Sequence, residues 1–271
     1  MKNIPFIKWT GSKRKLAPQI IDYFPKNIDT YYEPMVGGGS MFFYVLENIQ
    51  DIQDYYISDR NPIPIKLLQN LKESPNTLSK IYTEFWNTIN SLPDDEDKEG
   101  FYKRMKDEFN KTNDPDLFYC LNKVCYNGMI RYSKDGLFNT PFHKGRTGCL
   151  PKKVIQKNTQ LHNLISTKNV IIQNSSYLDI DYKENSLVYL DPPYPSLIKE
   201  FYHWDFDFVL LNKFLKRTDI KIAISMGQNY DEKLLPQLNQ FKKIILSGYN
   251  SSHRRLNNEN KVVNELLFIN Y

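Results

Sequence analysis

The run Tyr31-Tyr32-Glu33-Pro34-Met35-Val36-Gly37-Gly38-Gly39-Ser40 decides the fold. Residues 31–36 have the aromatic and β-branched composition of a strand, and residues 40–48 are amphipathic with helical spacing. Between them stand three consecutive glycines, in a chain that has only eleven. Lacking Cβ atoms, such a turn bends sharply and lets a ligand approach the backbone closely. A glycine turn between the first strand and its helix is where a doubly wound sheet holds a nucleotide-like cofactor. A packing turn would look the same, so the triplet needs a second sign. Asp59 supplies it, following the strand-like run 55–58, where an acid accepts hydrogen bonds from ribose hydroxyls. The GxGxxG spacing is absent and no diphosphate-binding helix start is evident. A cofactor with a ribose and no phosphates, such as S-adenosylmethionine, therefore fits better than NAD.

Further strand-like runs recur at 170–173, 187–190, 221–225, 244–247 and 265–269, with amphipathic segments such as 15–24 and 208–216 between them. This alternation predicts an α/β fold, a mostly parallel Rossmann-like sheet with helices on both faces. The rhythm breaks between residues 62 and 168. Helical patterns over 78–90, 101–109 and 117–126 lead into a turn-rich, basic and aromatic stretch, 127–146. There Ser133-Lys134-Asp135-Gly136 has the chemistry of a hairpin turn. The expected organisation is a catalytic domain of residues 1–61 and 168–271 with an inserted helical domain, 62–167, that carries a hairpin. The acidic run 94–97 reads as an exposed interhelical loop.

The chain has 271 residues, 41% of them apolar, and a formal net charge of +5. That composition excludes collagen-like, coiled-coil and disordered chains. No apolar run approaches the roughly 18 residues of a membrane span, and residues 1–15 lack the apolar core of a signal peptide, so a cytoplasmic location is expected. Cys120, Cys125 and Cys149 form no CxxC pair, and neither a disulfide framework nor a metal site is indicated. The charge is unevenly spread: +5 over residues 1–15, +7 over 103–157 and +4 over 242–261, leaving −11 for the rest. Three basic segments on an otherwise acidic chain suit either a polyanionic partner on one face or solvated charge alone.

A second motif lies at 187–194, where a buried-type strand runs into Asp191-Pro192-Pro193-Tyr194. The prolines stop the ladder and stiffen the turn, so a carboxylate, a restricted carbonyl and an aromatic ring project at the strand's carboxyl end. Ligands of open α/β sheets bind there. These groups suit a planar base with an exocyclic amine: Asp191 and the Pro192 carbonyl accept its two N–H donors while Tyr194 stacks on the ring. Holding both protons localises the nitrogen lone pair for in-line attack on a sulfonium methyl.

With both motifs in this order, the chain resembles the Dam-type, DpnII-like family of DNA adenine-N6 methyltransferases, α group. Residues 6–13, Phe6-Ile7-Lys8-Trp9-Thr10-Gly11-Ser12-Lys13, are similar to its amino-terminal cofactor motif, and Tyr126-Asn127-Gly128-Met129-Ile130-Arg131-Tyr132 with Phe138-Asn139-Thr140-Pro141-Phe142 to its target-recognition hairpin. Asn264-Glu265-Leu266-Leu267 resembles its closing strand. Met35 stands where the family usually has Phe, and His143-Lys144 where many relatives have Gly-Arg or Gly-Lys.

The resemblance implies a site-specific enzyme that uses S-adenosylmethionine to methylate an adenine flipped out of double-stranded DNA, at GATC or a related site. It works alone or beside a cognate restriction endonuclease. Cofactor contacts would come from Trp9, Lys13, Glu33, Gly37, Gly38, Asp59, Ser176, Tyr177 and Asp191. Asp191, Pro192 and Tyr194 would be catalytic. Lys8, Tyr126, Asn127, Met129, Arg131, Pro141 and Lys144 would touch DNA, with Arg131 reading a guanine by its planar fork. Phe201, Tyr202 and Trp204 are candidates for the flipped-base pocket. An RNA or N4-cytosine methyltransferase presents a similar tetrapeptide, but the hairpin insert argues against both. A non-catalytic DNA-binding protein would explain the basic segments and not the pairing of Asp59 with Asp191.

Overall fold

A computed structural model describes residues 5–194, 206–250 and 262–271. The predicted contacts of Phe201, Tyr202 and Trp204, and the basic pair Arg254 and Arg255, lie outside them. Seven strands form one sheet: β1 (Thr30–Glu33), β2 (Asp54–Asp59), β3 (Asn169–Asn174), β4 (Ser186–Leu190), β5 (Lys221–Gly227), β6 (Lys242–Asn250) and β7 (Val262–Ile269), in the order β3-β2-β1-β4-β5-β7-β6. The first five are mutually parallel, and β7 runs antiparallel to both β5 and β6.

β4 shows why this sheet is covered on both sides. All five of its residues are buried. Leu187 and Tyr189 join one core cluster, whereas Val188 and Leu190 join another, as the two-residue period of a strand requires. The first cluster includes residues of α1 (Ala17–Ile21) and α2 (Ser40–Asn48); the second includes Leu211 and Phe214 of α8 (Phe208–Phe214).

Proline sets several element ends. β1 stops at Glu33 because Pro34 has no N–H to give the ladder. The expected helix over 15–24 is instead a 3-10 turn, Lys13–Lys15, followed by the short α1, with Pro18 in its first turn. A proline further inside a helix would cost a hydrogen bond and clash with the preceding turn.

Between β2 and β3 come α3 (Pro62–Glu73), α4 (Pro75–Ser91), α5 (Asp95–Thr112), α6 (Pro115–Val124) and α7 (Pro151–Ser166). The acidic run at 94–97 proves to be a helix start and not a loop. Asp94 caps α5 by accepting the N–H groups of Glu96 and Asp97, and Asp95, Glu96 and Asp97 fill the first turn, where the helix dipole favours negative charge. α3 lies along β3, with Gln69 and Lys72 donating to the Ile172 and Val170 carbonyls at 2.9 and 2.6 Å.

Residues 125–142 fold back as a loose hairpin, closed by the bridges Cys125 to Phe142 and Tyr132 to Phe138. Its tip is the expected turn, with Gly136 N donating to Ser133 O at 3.0 Å. α5 holds the returning arm: Asn110 pairs with both the N–H and the carbonyl of Phe138, and Tyr102 donates to Thr140 O. Among the described residues, no helix is long and apolar enough to cross a membrane.

Candidate active site

The strand order places the site. β1 lies between β2 and β4, so the chain winds away in opposite directions from the β1–β4 boundary, and a crevice opens above the carboxyl ends of these strands. Glu33 ends β1, Asp59 ends β2 and Asp191 follows β4 at that rim. Because β7 is antiparallel, its interior reaches the same rim, with Glu265 opposite Gly227 at the end of β5.

The glycine turn is shaped by Trp9 and Asp59. Gly37 has φ +46°, and a Cβ there would come within 2.5 Å of the Trp9 indole nitrogen. Only glycine satisfies both the conformation and the contact. Gly37 N donates to Asp59 Oδ2 at 2.8 Å, and Asn61 N to Asp59 Oδ1 at 2.8 Å. Burial nevertheless pushes the Asp59 carboxyl up to about 6, against the pull of the backbone donors of Asn61, Gly37 and Arg60.

Lys13 sits at the centre of the charge. Its ammonium, 3% exposed, lies 2.6 Å from Asp191 Oδ1 and 3.4 Å from Glu265 Oε1, and it also donates to Gly11 O at 2.9 Å. Burial alone would depress this lysine, but the two carboxylates outweigh it and hold it above the ordinary lysine range. Burial raises the Asp191 carboxyl while Lys13 pulls it back. Burial carries Glu265 to about 7 against the same cation. Glu33 is pushed well above the usual range by burial, opposed by the hydrogen bond from Tyr31 and reinforced by the charges of Asp191 and Asp59. The Tyr194 hydroxyl donates to Glu265.

Trp9, Lys13, Glu33, Gly37, Gly38 and Asp59 all line one pocket at this rim. Ser176, Tyr177 and Asp191 line it too, together with Ile130 and Tyr132 of the hairpin. Pro193 lines it as well, whereas Pro192 is buried and neither it nor Tyr194 is part of the lining.

Outside the pocket, the candidate DNA contacts fall on or beside the hairpin. Asn127, with φ +54°, Arg131 and Pro141 are exposed, and Met129 is half-buried. Tyr126 stacks on His143 with ring centroids 5.1 Å apart. The side chain of Lys8 passes so close over Gly128 that no Cβ would fit there. Lys144 is tied to Glu99 of α5 at 3.0 Å, an exposed pair of little energetic weight.

Residues not singled out from the sequence connect hairpin and pocket. Asn122 of α6, fully buried, accepts from Lys8 N and donates to Lys8 O, both at 2.9 Å. The next residue, Lys123, donates to Phe6 O, and burial lowers its ammonium to about 7. Glu265 was legible only as part of a closing strand. The signal for both Asn122 and Glu265 was a pair of adjacent polar residues, Asn122-Lys123 and Asn264-Glu265, set between apolar ones.

The sequence profile of the family described as D12 class N6 adenine-specific DNA methyltransferase matches residues 9–262. The chain belongs to this family. A type II methyltransferase, M.MjaIII, of Methanocaldococcus jannaschii is 32% identical over 84% of this chain and 85% of its own. Another, M.CviBI of Paramecium bursaria Chlorella virus NC1A, is 28% identical over 82% of each. The DNA adenine methylase of Escherichia coli K12 is 31% identical over 72% of this chain and 66% of its own length. As a D12 class enzyme, the protein methylates adenine in DNA on a Rossmann-like methyltransferase sheet, and the rim above β1, β2 and β4 is where its motifs converge.

Proposed function

We propose that this pocket binds S-adenosylmethionine, and that the enzyme methylates the amino nitrogen of an adenine flipped from duplex DNA within GATC or a related short site. The observation that carries this reading is the convergence in one pocket of Lys13, from the amino-terminal 3-10 turn, with Asp59 and Asp191 at the ends of β2 and β4, strands separated in sequence by the hairpin insert. The lining suits such a donor: buried carboxylates for hydroxyl and ammonium groups, and a Thr10 hydroxyl with no hydrogen-bond partner among the described residues.

When bound, S-adenosylmethionine supplies a sulfonium methyl group open to in-line attack. Asp59 accepts from ribose hydroxyls with the lone pairs left over from Gly37 and Asn61. Asp191 and the Pro192 carbonyl accept the two N–H bonds of the adenine amine, and Tyr194 stacks on the ring. Lys13 keeps Asp191 ionised, which preserves its capacity to accept. Flipping costs a few kcal/mol, which the stacking and hydrogen bonds offset.

In this reading residues 62–167 form the recognition domain, with α3 also covering the sheet, and residues 1–61 and 168–271 the catalytic domain. Phosphates position the duplex against the basic segments, and Arg131 with its hairpin neighbours Asn127 and Met129 reads base edges. The names of two relatives as type II methyltransferases support a cognate restriction endonuclease acting on the same site, and in this reading the enzyme works in the cytoplasm.

Sequencing modified bases in DNA from cells expressing the protein tests this. N6-methyladenine confined to one short motif is expected. Methylation scattered without a motif, or absent, would refute it.

A further inference from the structure

Glu265 is 4% exposed on a strand whose next four residues, Leu266, Leu267, Phe268 and Ile269, are all buried hydrophobics. An acid in such a place costs free energy unless it is paired and hydrogen-bonded. Neutralising Lys13 does not account for it, since Asp191 already holds that ammonium at 2.6 Å, against 3.4 Å for Glu265. What Glu265 adds is an acceptor for the Tyr194 hydroxyl.

The surroundings leave the ring little freedom. Glu265 faces Gly227 across the β5–β7 ladder, and a Cβ on Gly227 would lie 3.2 and 3.3 Å from two carbons of the Tyr194 ring. The ring thus rests on bare backbone. The Lys13 ammonium stands 5.1 Å from the ring centroid. At the near end Pro192 and Pro193 stiffen the chain that leads into Tyr194. We infer that Glu265 is a positioning residue for methyl transfer, fixing the plane of the Tyr194 ring through its hydroxyl while sharing the Lys13 ammonium with Asp191.

This rests on the stacking role of Tyr194 proposed above, and the two ideas separate by experiment. The reading is the single-turnover rate of adenine methylation in duplex DNA, with donor and duplex affinities measured on the same proteins. Tyr194→Phe keeps the stacking face and removes the hydroxyl; Glu265→Ala removes the acceptor. Each is expected to slow transfer about tenfold, the worth of a hydrogen bond to a charged group, with both affinities within twofold. The double variant is expected to be no slower than the worse single one, because the two act through one contact. Tyr194→Phe at the wild-type rate, or losses that multiply in the double variant, would overturn the inference. Tyr194→Ala at the wild-type rate would instead overturn the stacking role itself.

Discussion

Lys13 Nζ lies 2.6 Å from Asp191 Oδ1, a contact that joins the amino-terminal motif to the end of β4 across 178 residues of sequence. The resemblance to the family cast Lys13 as a cofactor contact. In the structure its direct partners are the carboxylates of Asp191 and Glu265 and the carbonyl of Gly11. The consequence is electrostatic: burial favours protonation of Asp191, Lys13 opposes it, and only the ionised carboxylate accepts with both oxygens.

Lys13→Met should therefore slow transfer at neutral pH and move the acid limb of the rate profile upward. Loss of an opposite charge at this range raises a carboxyl by about 1–3 pH units, so part of the lost rate should return as pH rises. Single-turnover rates from pH 6 to 9 check this; an unshifted acid limb would show that Lys13 does not hold Asp191 ionised.

Asp59 gives a second pH dependence. Its carboxyl is held at about 6, and in the proposed binding mode the ionised form accepts from ribose hydroxyls. Donor affinity should be full above that value and decline as pH falls through it. Asp59→Asn should bind roughly tenfold or more weakly, consistent with losing a hydrogen bond to a charged group, and without that decline. Calorimetric titration with S-adenosylmethionine across pH 5 to 8 measures both.

Asn122 holds the main chain of Lys8, the neighbour of Trp9, with two hydrogen bonds. Asn122→Leu would leave two backbone groups unpaired, at about 1–3 kcal/mol each where they are buried. Denaturant unfolding should show the lost stability, and donor affinity should fall with it as the Trp9 segment loosens. Unchanged values of both would mean that the segment is held elsewhere.

Arg131 is exposed on the hairpin, with its backbone N–H and carbonyl bonded to Thr140 and Asn139. Arg131→Ala should relax discrimination at one guanine by about 1–3 kcal/mol, read by competition between duplexes differing at single positions. An equal loss on every sequence would make it a phosphate contact.

The parallel sheet, the glycine turn, Asp59 and the Asp191 tetrapeptide were legible because each follows from a local rule: apolar strand runs, missing Cβ atoms, prolines that end a ladder. Lys13 was legible as a site residue but not as the partner of Asp191, since no local rule pairs residues 178 positions apart. Glu265 escaped for the same reason, as only the antiparallel turn of β7 against β5 brings it to the rim. The run 94–97 misled because a cluster of acids marks a solvated loop and a helix start equally well, and the cap hydrogen bonds of Asp94 decide between them.

In the proposed mechanism Asp191 activates the adenine amine. The most direct test is the yield of N6-methyladenine from Asp191→Ala under single turnover, with labelled S-adenosylmethionine and duplex DNA, beside binding of both ligands to the same protein. Lys13 keeps Glu265 as a partner at 3.4 Å in that variant, so the site should stay folded. Transfer should fall by about a thousandfold or more, the scale of losing a group that stabilises the reacting centre, while both ligands still bind. Methylation at the wild-type rate would show that Asp191 does not activate the amine.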